Sequence, residues 1–67
     1  MDFKAGDSVV SFEVPGILVI KQIIKSYPFN LLTAHVIDKE ARTHLISLEC
    51  LKPAALLTEL EKVIYGL

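Results

Sequence analysis

The sequence predicts a mainly β domain with a C-terminal α-helix, built as a small barrel of four to five antiparallel strands. Two observations carry the β part: apolar and polar residues alternate with period two through 8–14, 31–37 and 43–50, and 17–25 is dense in isoleucine and valine. A third carries the helix, because apolar residues recur at helical spacing after Pro53. Sixty-seven residues make one domain, with the barrel over 3–52 and the helix over 53–66.

Taken in order, 3–7 is a polar approach whose Gly6 can adopt a positive φ and turn the chain into the first strand. In 8–14, alternation sets Val10, Phe12 and Val14 toward the core and Val9, Ser11 and Glu13 away from it. Pro15-Gly16 suits the two central positions of a type II turn, which splays or bulges a hairpin. The strand at 17–25 is apolar on both faces in its first half and is expected to be covered on both sides. Period two places Ile17, Val19, Lys21, Ile23 and Lys25 on one face and Leu18, Ile20, Gln22 and Ile24 on the other. A helix is the weaker reading of this stretch, because so many of its residues are β-branched.

The segment 26–30 is a loop, since Pro28 keeps Tyr27 out of helical geometry and Asn30 tolerates a turn. Strands at 31–37 and 43–50 flank the charged reversal Asp38-Lys39-Glu40-Ala41-Arg42. The inward sets are Leu32, Ala34 and Val36 on one strand and Ile46, Leu48 and Cys50 on the next. A shared face then needs Ala34 opposite Ile46, Leu32 opposite Leu48 and Val36 opposite His44, leaving 39–41 as a three-residue loop. Leu51-Lys52 adds a short closing strand, Pro53 takes the first helical position and Gly66 ends the helix. The expected core is Val10, Phe12, Leu18, Ile20, Leu32, Ala34, Val36, Ile46 and Leu48.

Composition bounds the function. A chain that is 52% hydrophobic and 22% charged is too apolar for intrinsic disorder. A formal charge of −1 gives no dense basic field of the kind phosphate binding uses, so nucleic acid is possible but unsupported. With Cys50 as the one cysteine, neither an intramolecular disulfide nor a cysteine-based zinc site forms, which favours a reducing, cytoplasmic setting. Apolar runs such as Ile17-Leu18-Val19-Ile20 fall far short of the roughly 20 residues that span a bilayer. The N-terminus shows no signal-peptide organisation and reads as a mature start.

Candidate chemistry is sparse. His35 and His44 lie on adjacent strands but face opposite sides in the expected register, and two ligands fall short of a transition-metal site. Cys50 and a histidine as nucleophile and base are disfavoured, because alternation predicts Cys50 to be a buried small hydrophobe with little reactivity. The three glycines are too far apart for a phosphate loop. Lys4, Lys21, Lys25 and Arg42 among eight acids read as a solvated surface. No catalytic, cofactor-binding or metal residue is expected. Interaction residues are Tyr27 and Phe29, which flank Pro28 as an aromatic loop pair, and the apolar stripe Leu56, Leu60, Val63, Ile64 and Leu67. The stripe is long for so small a domain. It is expected to brace the barrel by covering Ile17, Val19 and Ile23, and to present any remainder to a second copy.

The opening Phe3-Lys4-Ala5-Gly6-Asp7-Ser8-Val9-Val10, then Pro15-Gly16 and an apolar strand, resembles the start of small SH3-like barrels. Such starts occur in KOW and Tudor-type modules and in the N-terminal domain of CarD-like transcription regulators. His44-Leu45, Leu48-Glu49 and Leu51-Lys52-Pro53-Ala54 are similar to the closing segment of small bacterial barrels. The resemblance implies a binding module whose partners are nucleic acid, RNA polymerase or other proteins. The aromatic cage of Tudor-type modules has no counterpart among Phe3, Phe12, Tyr27, Phe29 and Tyr65 without a tryptophan, and the basic loops of KOW modules are thin here. The expectation is a non-enzymatic protein-interaction module, a homodimer through the C-terminal helix, with KOW-type nucleic-acid binding as the alternative.

Overall fold

A short first strand and a long second one set the architecture. In the computed structural model, which describes residues 3–26 and 31–67, five strands form one antiparallel sheet. They are β1 (Ser8–Val10), β2 (Leu18–Ser26), β3 (Leu31–Ile37), β4 (Thr43–Ser47) and β5 (Lys52–Pro53), in the order β4-β3-β2-β1-β5. A 3-10 turn at Leu48–Cys50 joins β4 to β5, a second at Ala54–Leu56 follows, and the six-residue helix α1 (Glu59–Ile64) comes last. The class is as the patterning predicts, mainly β with a C-terminal helix. The sheet does not close into a barrel. Among the described residues β4 and β5 are its two edges, and β5 is only two residues long and ends at Pro53, which has no N–H for a further ladder.

The β3–β4 hairpin follows the expected register, with Ala34 opposite Ile46 and Val36 opposite His44. Its loop is 39–41, closed by Asp38 N–H on the Arg42 carbonyl and Ala41 N–H on the Asp38 carbonyl, both at 3.0 Å. That is a type I turn followed by a left-handed residue, and the left-handed position is occupied by Ala41 at φ 65°. Leu32 and Leu48 do not pair, because β4 stops at Ser47 and the 3-10 turn carries Leu48 off the ladder. The same turn leaves Cys50 exposed instead of buried.

β2 departs from strict alternation. Its register against β3 shifts between Ile20 and Gln22, so Lys21 is the extra residue of a β-bulge. One extra residue inverts the parity downstream. Leu18 and Ile20 point inward before the bulge and Ile23 after it, whereas Val19 and Ile24 are exposed.

β1 is shorter than the expected 8–14. Ser11 Oγ accepts the Glu13 N–H at 3.2 Å, a local turn that competes with the ladder and ends the strand after Val10. Both Val9 and Val10 are buried, as is Ser11. Phe12, expected in the core, is 75% exposed. The core is Val9, Leu18, Ile20, Ala34, Val36, Ile46 and Leu51, with Phe3, Val14, Ile23 and Leu48 packed against it. Leu32 lies at the rim rather than inside, and with Phe3, Leu48, Leu51 and Pro53 it lines an open apolar groove of about 340 Å³.

Candidate functional site

The C-terminal segment is tied to the sheet while its apolar side chains face outward. Thr58 caps α1 through a capping box: its hydroxyl accepts the Glu61 N–H, and its own N–H donates to Glu61 Oε1, both at 3.2 Å. The other end closes with a Schellman motif, Leu67 N–H on the Lys62 carbonyl at 2.8 Å and Gly66 N–H on the Val63 carbonyl at 3.2 Å. Gly66 sits at φ 79°, and a Cβ there would stand 3.2 Å from the Pro15 Cβ, so glycine is required both by conformation and by the close approach of the 13–16 loop.

Three contacts hold this capped turn in place. Lys52 Nζ donates to Glu61 Oε2 at 3.1 Å, linking β5 to α1. The Glu61 carboxyl is held below the ordinary glutamate range, first by the Thr58 N–H and then by Lys52. The same carboxylate raises the Lys52 ammonium above its usual value. The Gly16 N–H donates to the Tyr65 carbonyl at 3.0 Å. Tyr65 is buried and stacks on Phe12, ring centroids 4.6 Å apart and planes at 29°. Phe12 has left the core to form the lid over Tyr65.

The expected stripe is thereby redistributed. Lys52–Pro53 joins the sheet and Ala54–Leu56 is a 3-10 turn, so the helix starts at Glu59 rather than Pro53 and Leu56 is not on it. Leu60, at 71% exposure, Val63, at 73%, and Ile64 stand on α1 facing solvent, with exposed Leu56 before them and Leu67 after. They do not cover Ile17 and Val19, which are exposed themselves, and Ile23 faces the core. The brace is Tyr65, not the stripe. Tyr27 and Phe29 lie outside the described residues.

A second cluster surrounds the β3–β4 turn. Asp38 Oδ1 accepts the Glu40 N–H at 2.8 Å and the Arg42 N–H at 2.9 Å, and Oδ2 lies 2.9 Å from His44 Nε2. The His44 hydrogen bond, followed by the Arg42 N–H, holds the Asp38 carboxyl below the ordinary aspartate range. The Arg42 guanidinium pairs with Glu40. These groups, with Glu13 and Pro15, line an open cleft of about 330 Å³ whose charges are of both signs. His44 and Asp38 serve the turn. His35 pairs with Leu45, one position out of phase with the Val36–His44 pair, and so lies on the opposite face from His44. Among the described residues no group of three His, Cys, Asp or Glu side chains is placed to hold a metal ion, and no helix is long and apolar enough to cross a membrane.

The chain matches no known protein family, curated protein or solved structure. What it offers is an architecture in which a short apolar helix is fixed by tethers that do not use its apolar side. Two features that departed from the expected elements have sequence signals. Thr58-Glu59-Leu60-Glu61 is a capping-box pattern that marks Thr58 as the helix start, and the two consecutive polar residues Lys21-Gln22 interrupt an apolar strand at the bulge.

Proposed function

We propose that this chain is a non-enzymatic protein-interaction module that pairs with a second copy of itself through α1. The observation that carries the reading is the exposure of Leu60, Val63 and Ile64 on a helix that is capped at both ends and tethered by Tyr65 and Glu61. A helix held for its packing on the sheet would turn these residues inward; this one is held with them outward. Burying a leucine, valine or isoleucine side chain stabilises by about 1.5–3 kcal/mol, so three on each copy supply a driving force large for a domain of this size. A small helix presenting spaced apolar anchors is also a common way for proteins to recognise one another.

An SH3-like relation belongs to the same proposal, supported by five antiparallel strands around one core and a bulged β2. A cytoplasmic setting does too, on the lone cysteine. KOW-type nucleic-acid binding draws less support, since Arg42 is paired with Asp38 and Glu40, leaving few cations to meet phosphates together. The test is sedimentation of the parent chain and Leu60→Asp. The parent sediments as a dimer or larger, and Leu60→Asp, still folded by circular dichroism, loses the α1 contact with an affinity drop above about 100-fold, the loss of one leucine burial on each copy. A parent that is monomeric up to millimolar concentration overturns the proposal.

A further inference from the structure

The two edges of the sheet are guarded very differently. β5 offers two residues, one of them Pro53 and the other Lys52, whose charge discourages a neighbouring strand. β4 offers five, Thr-His-Leu-Ile-Ser, with no lysine, acid, proline or bulge among them. Long uncharged edges are templates for another strand, and proteins usually blunt them.

The hydrogen-bond phase of β4 is set by its own hairpin. Asp38 N–H donates to the Arg42 carbonyl, so by alternation the Val36–His44 and Ala34–Ile46 pairs exchange main-chain hydrogen bonds. His44 and Ile46 thus spend their N–H and C=O groups on β3. Among the described residues, Thr43 and Leu45 direct both of theirs to the open edge and Ser47 its N–H, the Ser47 carbonyl heading the 3-10 turn Leu48–Cys50.

We infer that β4 is a second self-pairing surface, joining antiparallel to β4 of another copy about a two-fold axis through Leu45. In that register Leu45 meets Leu45, and Thr43 meets Ser47 on both sides. The Leu45–Leu45 pair exchanges both hydrogen bonds, and each Thr43–Ser47 pair is joined by the Ser47 N–H donating to the Thr43 carbonyl. No like charges meet. His44 comes opposite Ile46, and Arg42 of one copy comes level with the Leu48–Glu49 turn of the other, where the charges are opposite. Leu45, 67% exposed, is covered by its counterpart, on the same outer face of the sheet as exposed Ile24 and Val19 two strands away. The contact is separate from α1. Two different two-fold contacts on one chain give assemblies larger than a dimer.

The experiment uses Leu60→Asp as background, so that α1 pairing is removed first. Amide exchange is followed by NMR at micromolar and millimolar concentration, with sedimentation alongside. Exchange at Leu45 and Ser47 is expected to slow about tenfold or more at the higher concentration, while His44 and Ile46, already bonded to β3, do not change. Leu45→Lys and Leu45→Glu in that background should each be monomeric, and their equimolar mixture should regain the dimer because opposite charges then face one another. Equal exchange at both concentrations, or a mixture that stays monomeric, overturns the inference. So does slowed exchange that appears only when an unrelated threonine–valine strand peptide is added. A parent that Leu60→Asp reduces to monomer while Leu45→Lys alone leaves as a dimer refutes β4 pairing and leaves α1 pairing intact.

Discussion

Replacing Ala41 with glycine is expected to stabilise the domain. Ala41 holds φ 65° at the third loop position of the β3–β4 hairpin, where its Cβ crowds the following carbonyl. A non-glycine residue there costs about 1–2 kcal/mol relative to the right-handed region. Glycine removes that cost but adds unfolded-state entropy worth roughly 0.5–1 kcal/mol, so the net gain is about 0.5–1 kcal/mol. Nothing else at the site changes, since Asp38 holds the turn through the main-chain N–H groups of Glu40 and Arg42. With a urea slope of about 1 kcal/mol/M for so small a domain, the midpoint rises by about 0.5–1 M at unchanged slope. Ala41→Val, β-branched at the same φ, lowers the midpoint by more than the glycine raises it. Urea denaturation followed by circular dichroism measures both. An Ala41→Gly midpoint equal to or below the parent's, with the slope unchanged, would refute the reasoning.

Tyr65→Ala removes the buried ring under Phe12 at a cost of about 3–5 kcal/mol, close to the whole margin of a domain this size, so little folded protein should remain in a thermal melt. Phe12→Ala, at an exposed position, should cost less than half as much in the same melt. Asp38 titrates below its ordinary value because His44 and the Arg42 N–H favour the carboxylate. Its contribution is therefore complete above the unfolded aspartate pKa, near 3.9, and is lost as pH falls from there through the lower folded value. Asp38→Asn should be less stable than the parent at neutral pH, with the difference shrinking on acidification below about pH 4 in a pH series of urea midpoints.

Much of the sheet was legible because alternation and pairing constrain each other. Once Ala34, Val36 and Ile46 were set inward, the β3–β4 register and its three-residue loop followed, and both match the structure. Leu18, Ile20, Ala34, Val36 and Ile46 are in the core as read, but on β1 it is Val9, paired with Leu18, that joins them, and Val10 is buried on the other face. The errors sit where something other than period two takes control. Ser11 bonding to Glu13 stops β1 and frees Phe12, and the extra residue at Lys21 turns Ile23 in and Ile24 out. The C-terminal stripe misled for a related reason. Spacings of three and four describe which residues share a helix face, but Pro53 preferred the sheet edge and Thr58 started the helix late. Whether an apolar face packs inward depends on what anchors the element, and here Tyr65 does so from outside the stripe.

Contact between α1 and the α1 of a second copy is read most directly from intermolecular NOEs. A sample mixed from isotope-labelled and unlabelled chains, with filtering for contacts between them, reads only the interface. Cross-chain NOEs are expected among the methyl groups of Leu60, Val63 and Ile64, with Leu56 and Leu67 at the margin, and should disappear in Leu60→Asp. At millimolar concentration, a mixed sample with no cross-chain NOE to any of these methyls would contradict α1 pairing.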